Sequence, residues 1–455
     1  MLDLIGLKEV ADFLVNNDDY LLVCHHDADG LCSGACTSIL LERLNKKHEI
    51  KIVDKLDPNL ISELEKEKKK IIFVDLGSGQ APLLENLDRC IIDHHVPIEA
   101  RLQFNPMFSG YDGTRDISGA GACYLVAKYL KLHEGLAKIA LIGALGDMQN
   151  TREGFVGLNK IILKDALEEG EVEIKKDISL YGRHSRPLIQ FLVYATNPIF
   201  PGLTANEEAC KEFLKKNNIP LKRGETWLYY CDLTLEEKKR LITALYLYGK
   251  ERQMSEKTLK RLVSVVYELK KEPERTLLKD LQEFSTLLNA CGRRKQGMVG
   301  INILKGDRGE YLEKGKNLLA QHRKELKEAI QYVFASGLME KENYFLLDGK
   351  DKIPSEIIGT VAGMLFGSLI LKEKPILGIC VNKSDESKLK ISVRATQELV
   401  EKGLHLGLLL RDLAAQFEGI GGGHSIAAGA TIPKKHLEEF LIKFNTSLQP
   451  YVSKH

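Results

Sequence analysis

Histidine and aspartate recur in this sequence in four short groups whose spacing suits divalent-metal chemistry. His25, Asp27 and Asp29 stand two apart in CHHDADG, Asp75 lies in VDLGSG, Asp93, His94 and His95 are consecutive in IDHHVP, and Asp147 ends ALGD. Along an extended segment side chains alternate, so an H-x-D-x-D spacing sends three ligands to one side. Carboxylates gathered without a counter-charge repel one another and retain protons, a conflict that divalent cations relieve. Imidazole nitrogen with carboxylate oxygen and no thiolate suits Mn²⁺, with Mg²⁺, Co²⁺ or Zn²⁺ as substitutes. The carboxylates suffice for two ions, an arrangement that activates water and clamps a phosphate. Any one of these acids alone reads as a helix cap or a surface charge. The four groups in concert point to a metal centre.

To act together, the groups must be carried to one place by the fold. YLLVCHHDADG, EIKIVDKL, KKIIFVDLGSG and RCIIDHHVP each read as a buried strand whose end carries acids, histidines or glycines. They alternate with amphipathic stretches such as GLCSGACTSILLERL, the rhythm of βαβ units. Open parallel sheets place ligand sites at the C-terminal ends of strands, and LIGALGD is expected to supply a further such end. The expected fold is therefore α/β: an N-terminal domain over 1–187 with a parallel sheet flanked by helices. Helical spacing dominates from Leu188 to Ala290, which predicts a helical connecting or insertion domain over 188–290. Strands are expected again from Met298, in MVGINILKG, PILGICVN and KLKISVR, before the glycine cluster GIGGGHSIAAGATI. This predicts a second α/β domain over 291–455, with the active-site cleft between the two α/β domains.

CHHDADG, VDLGSG, IDHHVP and ALGD, in this order, resemble the four motifs of the DHH phosphoesterase superfamily. The resemblance implies that His25 and Asp27 hold one Mn²⁺, that Asp29, His94 and Asp147 hold the other, and that Asp75 bridges them. His95 would then face the phosphate and Asp93 would orient a histidine from behind. Family II pyrophosphatases set their first histidine four residues before the first aspartate, whereas His25 precedes Asp27 by two, which favours the polynucleotide side of the superfamily. GIGGGHSIAAG resembles the GGGH motif of the DHH-associated domain: Gly421, Gly422 and Gly423 would let backbone amides approach a phosphate, and His424 would point at the reacting centre. KISVRAT supplies a Ser-x-Arg pair, Ser392 and Arg394, that resembles a substrate-binding motif of the same domain. NACGR, ending at Arg293, resembles a signature of RecJ nucleases. Arginine forks bind phosphate through two parallel hydrogen bonds and stay charged in any environment.

The resemblance to RecJ-like nucleases of the archaeal type implies a metal-dependent exonuclease on single-stranded DNA, 5′→3′, in replication or repair. Two enzymatic alternatives stand beside it: 3′→5′ digestion of single-stranded RNA or DNA, and a nanoRNase or cyclic-dinucleotide phosphodiesterase. A third alternative is a replisome scaffold binding GINS. GINS is the partner expected for the insert, whose Trp227, Tyr229, Tyr230, Tyr246 and Tyr248 either anchor an interface or pack into the insert's own core.

Composition bounds these readings. The 455 residues carry 65 Lys and Arg against 63 Asp and Glu, a formal net charge of +2, so a nucleic-acid site must be a local cationic surface and not a whole-molecule field. The first residues carry acids where a secretion signal needs bases, and no segment reaches the ~20 apolar residues of a membrane span; a cytoplasmic protein without a membrane partner is expected. Nine scattered cysteines without a C-x-x-C pair predict reduced, buried thiols, and Cys32 with Cys36 reads as packing, not as zinc ligation.

Overall fold

The computed structural model describes residues 4–195, 197–368, 374–383 and 385–452. The chain forms two compact units, Met1–Tyr194 with Ala205–Leu319, and Ala195–Thr204 with Ala320–His455.

The first unit opens with α1 (Leu7–Asn16), β1 (Asp19–His25), α2 (Ala28–Arg43), β2 (Lys47–Val53), α3 (Pro58–Leu64), β3 (Lys70–Val74), β4 (Arg89–Ile92) and β5 (Gln103–Phe104). These strands make a parallel sheet in the order β2-β1-β3-β4-β5. Alternation along the strands divides their apolar residues between two faces. Leu22, Cys24, Ile72, Val74, Cys90 and Ile92 join the large core beneath α2, whereas Leu21, Val23, Ile71, Phe73 and Ile91 meet Leu64, Ala81 and Leu84 on the other side. Both faces are thus covered, and this explains why the strands read as unbroken apolar runs. The strand order reverses between β1 and β3, so the crevice beyond their C-terminal ends is the switch point at which such sheets receive ligands. Cys24 pairs with Val74, and Val74 with Ile92. This register sets His25, Asp75 and Asp93 side by side just past the strand ends.

The large core is completed by α4 (Gly119–Tyr129), α5 (Ala137–Gly146) and α6 (Gly157–Glu168). LIGALGD, expected as a strand, lies in α5, and Asp147 caps its end. AKIALIGALG is apolar apart from Lys138, rich in small residues, and packed against α2, α4 and α11 (Leu281–Arg293). Periodicity does not separate a fully buried helix from a buried strand. MVGINILKG is corrected in the same way: it forms α12 (Gly297–Leu304), in which Met298 and Asn302, four apart, share the side turned from the core while Val299, Ile301 and Ile303 are buried.

Between these lies β6 (Val172–Ile178), then α7 (Leu188–Val193), α8 (Glu207–Lys216), the hairpin β7 (Lys222–Arg223) and β8 (Thr226–Trp227), α9 (Leu235–Glu251) and α10 (Glu256–Lys260). The helical reading of 188–290 holds for these helices but not for β9 (Val263–Leu269), which pairs antiparallel with β6 from Val172↔Leu269 to Ile178↔Val263. The division between units falls within α13 (Glu310–Ser336), after Leu319, whereas the sequence suggested a boundary at 290/291.

The second unit has a mixed sheet in the order β10-β11-β12-β13-β15-β14, formed by β10 (Met339–Glu340), β11 (Phe345–Asp348), β12 (Ile376–Val381), β13 (Lys388–Arg394), β14 (Ile420–Gly423) and β15 (Ala427–Pro433). One face packs on α13 and α14 (Ile358–Ser368). The other packs on α15 (Gln397–Glu401), α16 (Leu406–Ala415) and α17 (Leu437–Leu448). No helix among the described residues is long and apolar enough to cross a membrane.

Candidate metal centre

Strand ends and helix termini of the first unit bring six of the predicted side chains together. His25 closes β1, and Asp27 caps α2, its Oδ1 accepting from the Gly30 amide at 2.9 Å. Asp29 lies in the first turn of α2, where it accepts from the amides of Gly119 (2.6 Å) and Ala120 (3.0 Å) at the start of α4. The alternation expected of an extended H-x-D-x-D segment is therefore not what aims these groups. The strand stops at His25, and a helix N-terminus, which favours acids, holds Asp27 and Asp29.

Asp75 sits between His25 with Asp27 on one side and Asp29, His94 and Asp147 on the other. Its backbone lies at φ 61, in the left-handed region that non-glycine residues seldom adopt, and its side chain is buried. On one side His25 Nδ1 lies 3.1 Å from Asp27 Oδ2 and 3.6 Å from Asp75 Oδ2. On the other, His94 Nε2 lies 3.2 Å from Asp75 Oδ1, 3.3 Å from Asp147 Oδ2 and 3.7 Å from Asp29 Oδ2. Each triad, His25–Asp27–Asp75 and Asp29–His94–Asp147, has ligand atoms close enough to share one ion.

The supporting contacts orient the imidazoles. His94 Nδ1 donates to the Gly113 carbonyl at 2.6 Å, which turns Nε2 toward the carboxylates. His95 Nδ1 donates to Asp93 Oδ1 at 2.8 Å, and Asp93 is itself held by the amides of Ser78 and His94. Asp93 thus lies behind the histidines, with its carboxyl held below the usual range: burial opposes ionisation, and His95 outweighs it.

The electrostatics are those of a cation site. Burial, then Asp75 and Asp147, push Asp29 well above the carboxylate range, and burial pushes Asp147 up to about 7. Burial works against charge on His25 and His94, but Asp27 raises the first and Asp75 the second. Both Asp75 oxygens are buried and accept no hydrogen bond of normal geometry. A buried carboxylate left so is costly unless a charge completes it. Divalent cations fit this donor set: His25, Asp27 and Asp75 would hold one, Asp29, His94, Asp147 and Asp75 the other.

Several supporting residues were not anticipated from sequence. Asn289 Oδ1 accepts from the Ala28 amide at 3.0 Å, so α11 braces the metal loop. A Cβ on Gly292 would lie 1.6 Å from the His26 carbonyl oxygen, and one on Gly143 would lie 2.3 Å from Asp29 Oδ1. NACGR and LIGALGD therefore carry positional information in their glycines and asparagine. His26 faces Asp54 at 3.4 Å, and burial, followed by His25, holds it down at about 4; Arg293, at the end of α11, acts in the same direction.

The remaining predicted residues belong to the second unit. Lys390, Ser392 and Arg394 alternate onto one face of β13, and Ser392 pairs with Gly429, which pairs with Gly422. A Cβ on Gly359 of α14 would meet Arg394 Nη2 at 2.6 Å and Ser392 Oγ at 2.8 Å, so the two side chains converge there. Gly421 and Gly423 admit the backbones of α16 and β15, whereas a Cβ on Gly422 would point into open space. His424 lies in the turn after β14.

Three family patterns match the chain in order: the DHH family, N-terminal domain, over 20–146, the DHH-CID domain over 180–263, and the DHHA1 domain over 332–449. An uncharacterized protein of Methanocaldococcus jannaschii is 31% identical over 449 residues, which is 95% of this chain and 94% of that protein. Among solved structures, RecJ in complex with Mn²⁺ from Thermus thermophilus has a TM-score of 0.57 at 16% identity. That match covers 98% of this chain and 55% of RecJ, so this chain spans about half the length of that structure. CDC45 from Entamoeba histolytica has a TM-score of 0.67 at 14% identity and is matched over 98% of this chain and 99% of its own. At such identities the likeness is one of fold.

Proposed function

This chain belongs to the DHH phosphoesterase superfamily, and from that premise we propose that it is a metal-dependent exonuclease on single-stranded nucleic acid. The observation that carries the proposal is Asp75, whose two buried oxygens face His25 and His94, one each. Divalent ions held there, with Mn²⁺ the first candidate and Mg²⁺ or Co²⁺ able to replace it, would lower the pKa of water and neutralise phosphate charge.

The chain's own residues have separate tasks in this reading. Asp93 fixes His95, whose half-buried ring donates a proton or hydrogen bond to a phosphate oxygen. Arg293, Ser392, Arg394 and the amides of Gly421, Gly422 and Gly423 grip the strand, and His424 stabilises charge on the scissile phosphate. The proposed direction is 5′→3′ on DNA in replication or repair, with 3′→5′ action on RNA or DNA and cleavage of dinucleotides as the rival substrates. An intact set of ligands is more than a replisome scaffold needs. Binding of GINS through the insert is proposed as a second role: Trp227 is exposed on the β7–β8 hairpin with Lys222 over its ring at 4.4 Å, whereas Tyr230 is buried against Phe191.

Matched single-stranded DNA and RNA, labelled at each end in turn and digested with Mn²⁺ or Mg²⁺, test polarity, sugar and metal together. Asp75→Asn is expected to reduce turnover by roughly 10³-fold or more while the fold persists. Full activity of this variant with Mn²⁺ would remove the assignment, and a rate highest on dinucleotides would transfer it to the nanoRNase class.

A further inference from the structure

The connecting region holds a second group of metal-capable side chains that the aspartate centre does not use. His184 lies in the loop after β6, Cys231 in a short turn at Tyr230–Asp232, and Glu274 in the turn after β9. Their ligand atoms all lie within 4.8 Å of one another.

The histidine is set as a metal ligand would be. Its Nε2 lies 3.0 Å from Glu268 Oε1, and Glu268 is itself held by Arg183 at 2.9 Å and Lys175 at 2.5 Å. A ring that donates one nitrogen to a buried carboxylate presents the lone pair of the other, the arrangement that recurs behind zinc-bound histidines. That other nitrogen, Nδ1, is buried and lies 2.8 Å from Glu274 Oε2, yet it makes no hydrogen bond of normal geometry. The third member is distinctive too, since Cys231 is the only one of the nine cysteines that is not buried. Nitrogen, sulfur and oxygen donors converging in this way suit a borderline-soft ion that accepts four ligands.

We infer that His184 Nδ1, Cys231 Sγ and a Glu274 carboxylate oxygen form a Zn²⁺ site, with water as the fourth ligand. The ion ties the loop after β6 to the turns at 230–232 and 271–276, three segments far apart in sequence, and so acts as a staple of the connecting region. The competing arrangement is an imidazolium lying between Glu268 and Glu274. Burial pushes the His184 pKa down, but Cys231 and Glu268 outweigh it and bring it up to about 10. Zinc binding must therefore displace a proton from His184, and affinity rises with pH.

Co²⁺ is the probe, because a thiolate ligand gives a near-ultraviolet charge-transfer band that nitrogen and oxygen ligands do not. The full-length, reduced protein is expected to show this band with one equivalent of Co²⁺ beyond those taken by the aspartate centre. Asp75→Asn keeps the band, and Cys231→Ser abolishes it. Glu274→Gln, at a mostly exposed position, is the second variant should Cys231→Ser fail to fold; it is expected to weaken Co²⁺ binding at this site by roughly tenfold or more. Absence of the band in the wild-type protein, its persistence in Cys231→Ser, or unchanged affinity in a folded Glu274→Gln protein overturns the site. None of these readouts depends on whether the aspartate centre cleaves nucleic acid.

Discussion

Asp147 shows how the candidate metal centre stores unfavourable charge in the metal-free chain. Its carboxyl is pushed up to about 7 in the fold, first by burial. A carboxyl with a raised folded pKa favours the folded state while protonated, and that stability is lost as pH rises through about 7. In chelator at pH 8, Asp147→Asn is therefore expected to melt higher than the wild-type protein, by roughly 2–4 °C for each kcal/mol of buried-charge cost relieved. Mn²⁺ should stabilise the wild type by about 2.7 kcal/mol at a hundredfold excess over Kd. The same variant should lose much of that gain. Thermal melts with and without Mn²⁺ check both halves, and a variant that melts lower in chelator contradicts the buried-charge account. At this scale the sequence was informative about which residues gather and less so about why: the spacing of His25, Asp27 and Asp29 suggested a strand, whereas a helix N-terminus holds the two acids.

Among the elements, α11 shows what spacing alone left unread. NACGR was legible as a signature, but the tasks of Asn289 and Gly292 depend on which loop α11 touches, and that loop lies at the other end of the unit's sequence. Gly292→Ala would drive a methyl group into the His26 carbonyl. The expected outcome is a loss of about 1–3 kcal/mol of stability, the range for overpacking, together with a weakened Mn²⁺-dependent shift in melting temperature. A variant that keeps both wild-type values would show that the brace is dispensable. The parallel sheet was readable because its strands are buried on both faces. α5 and α12 were not, because short apolar runs look alike as helix and strand until their neighbours are known. β9 was hidden for a related reason: its partner β6 lies beyond the whole connecting region.

For the molecule as a whole, a formal charge of +2 means that nucleic-acid binding must rest on a few cations. Affinity for single-stranded DNA should fall with salt at a slope of about −0.7 for each phosphate neutralised. Arg394→Ala should lower the magnitude of that slope by about 0.7, as read from binding isotherms at several salt concentrations; an unchanged slope would remove Arg394 from the phosphate contacts. The bond between the Ala28 amide and Asn289 joins residues 261 positions apart, and this sets a clock on the newborn chain. At ~5–20 residues per second, about 13–50 s separate synthesis of the metal loop from arrival of the helix that braces it. In the later part of that interval, once Asp147 has been added, all the aspartates have been made and their support has not, so a nascent chain stalled between residues 147 and 281 should carry a loosely held cluster that binds Mn²⁺ weakly.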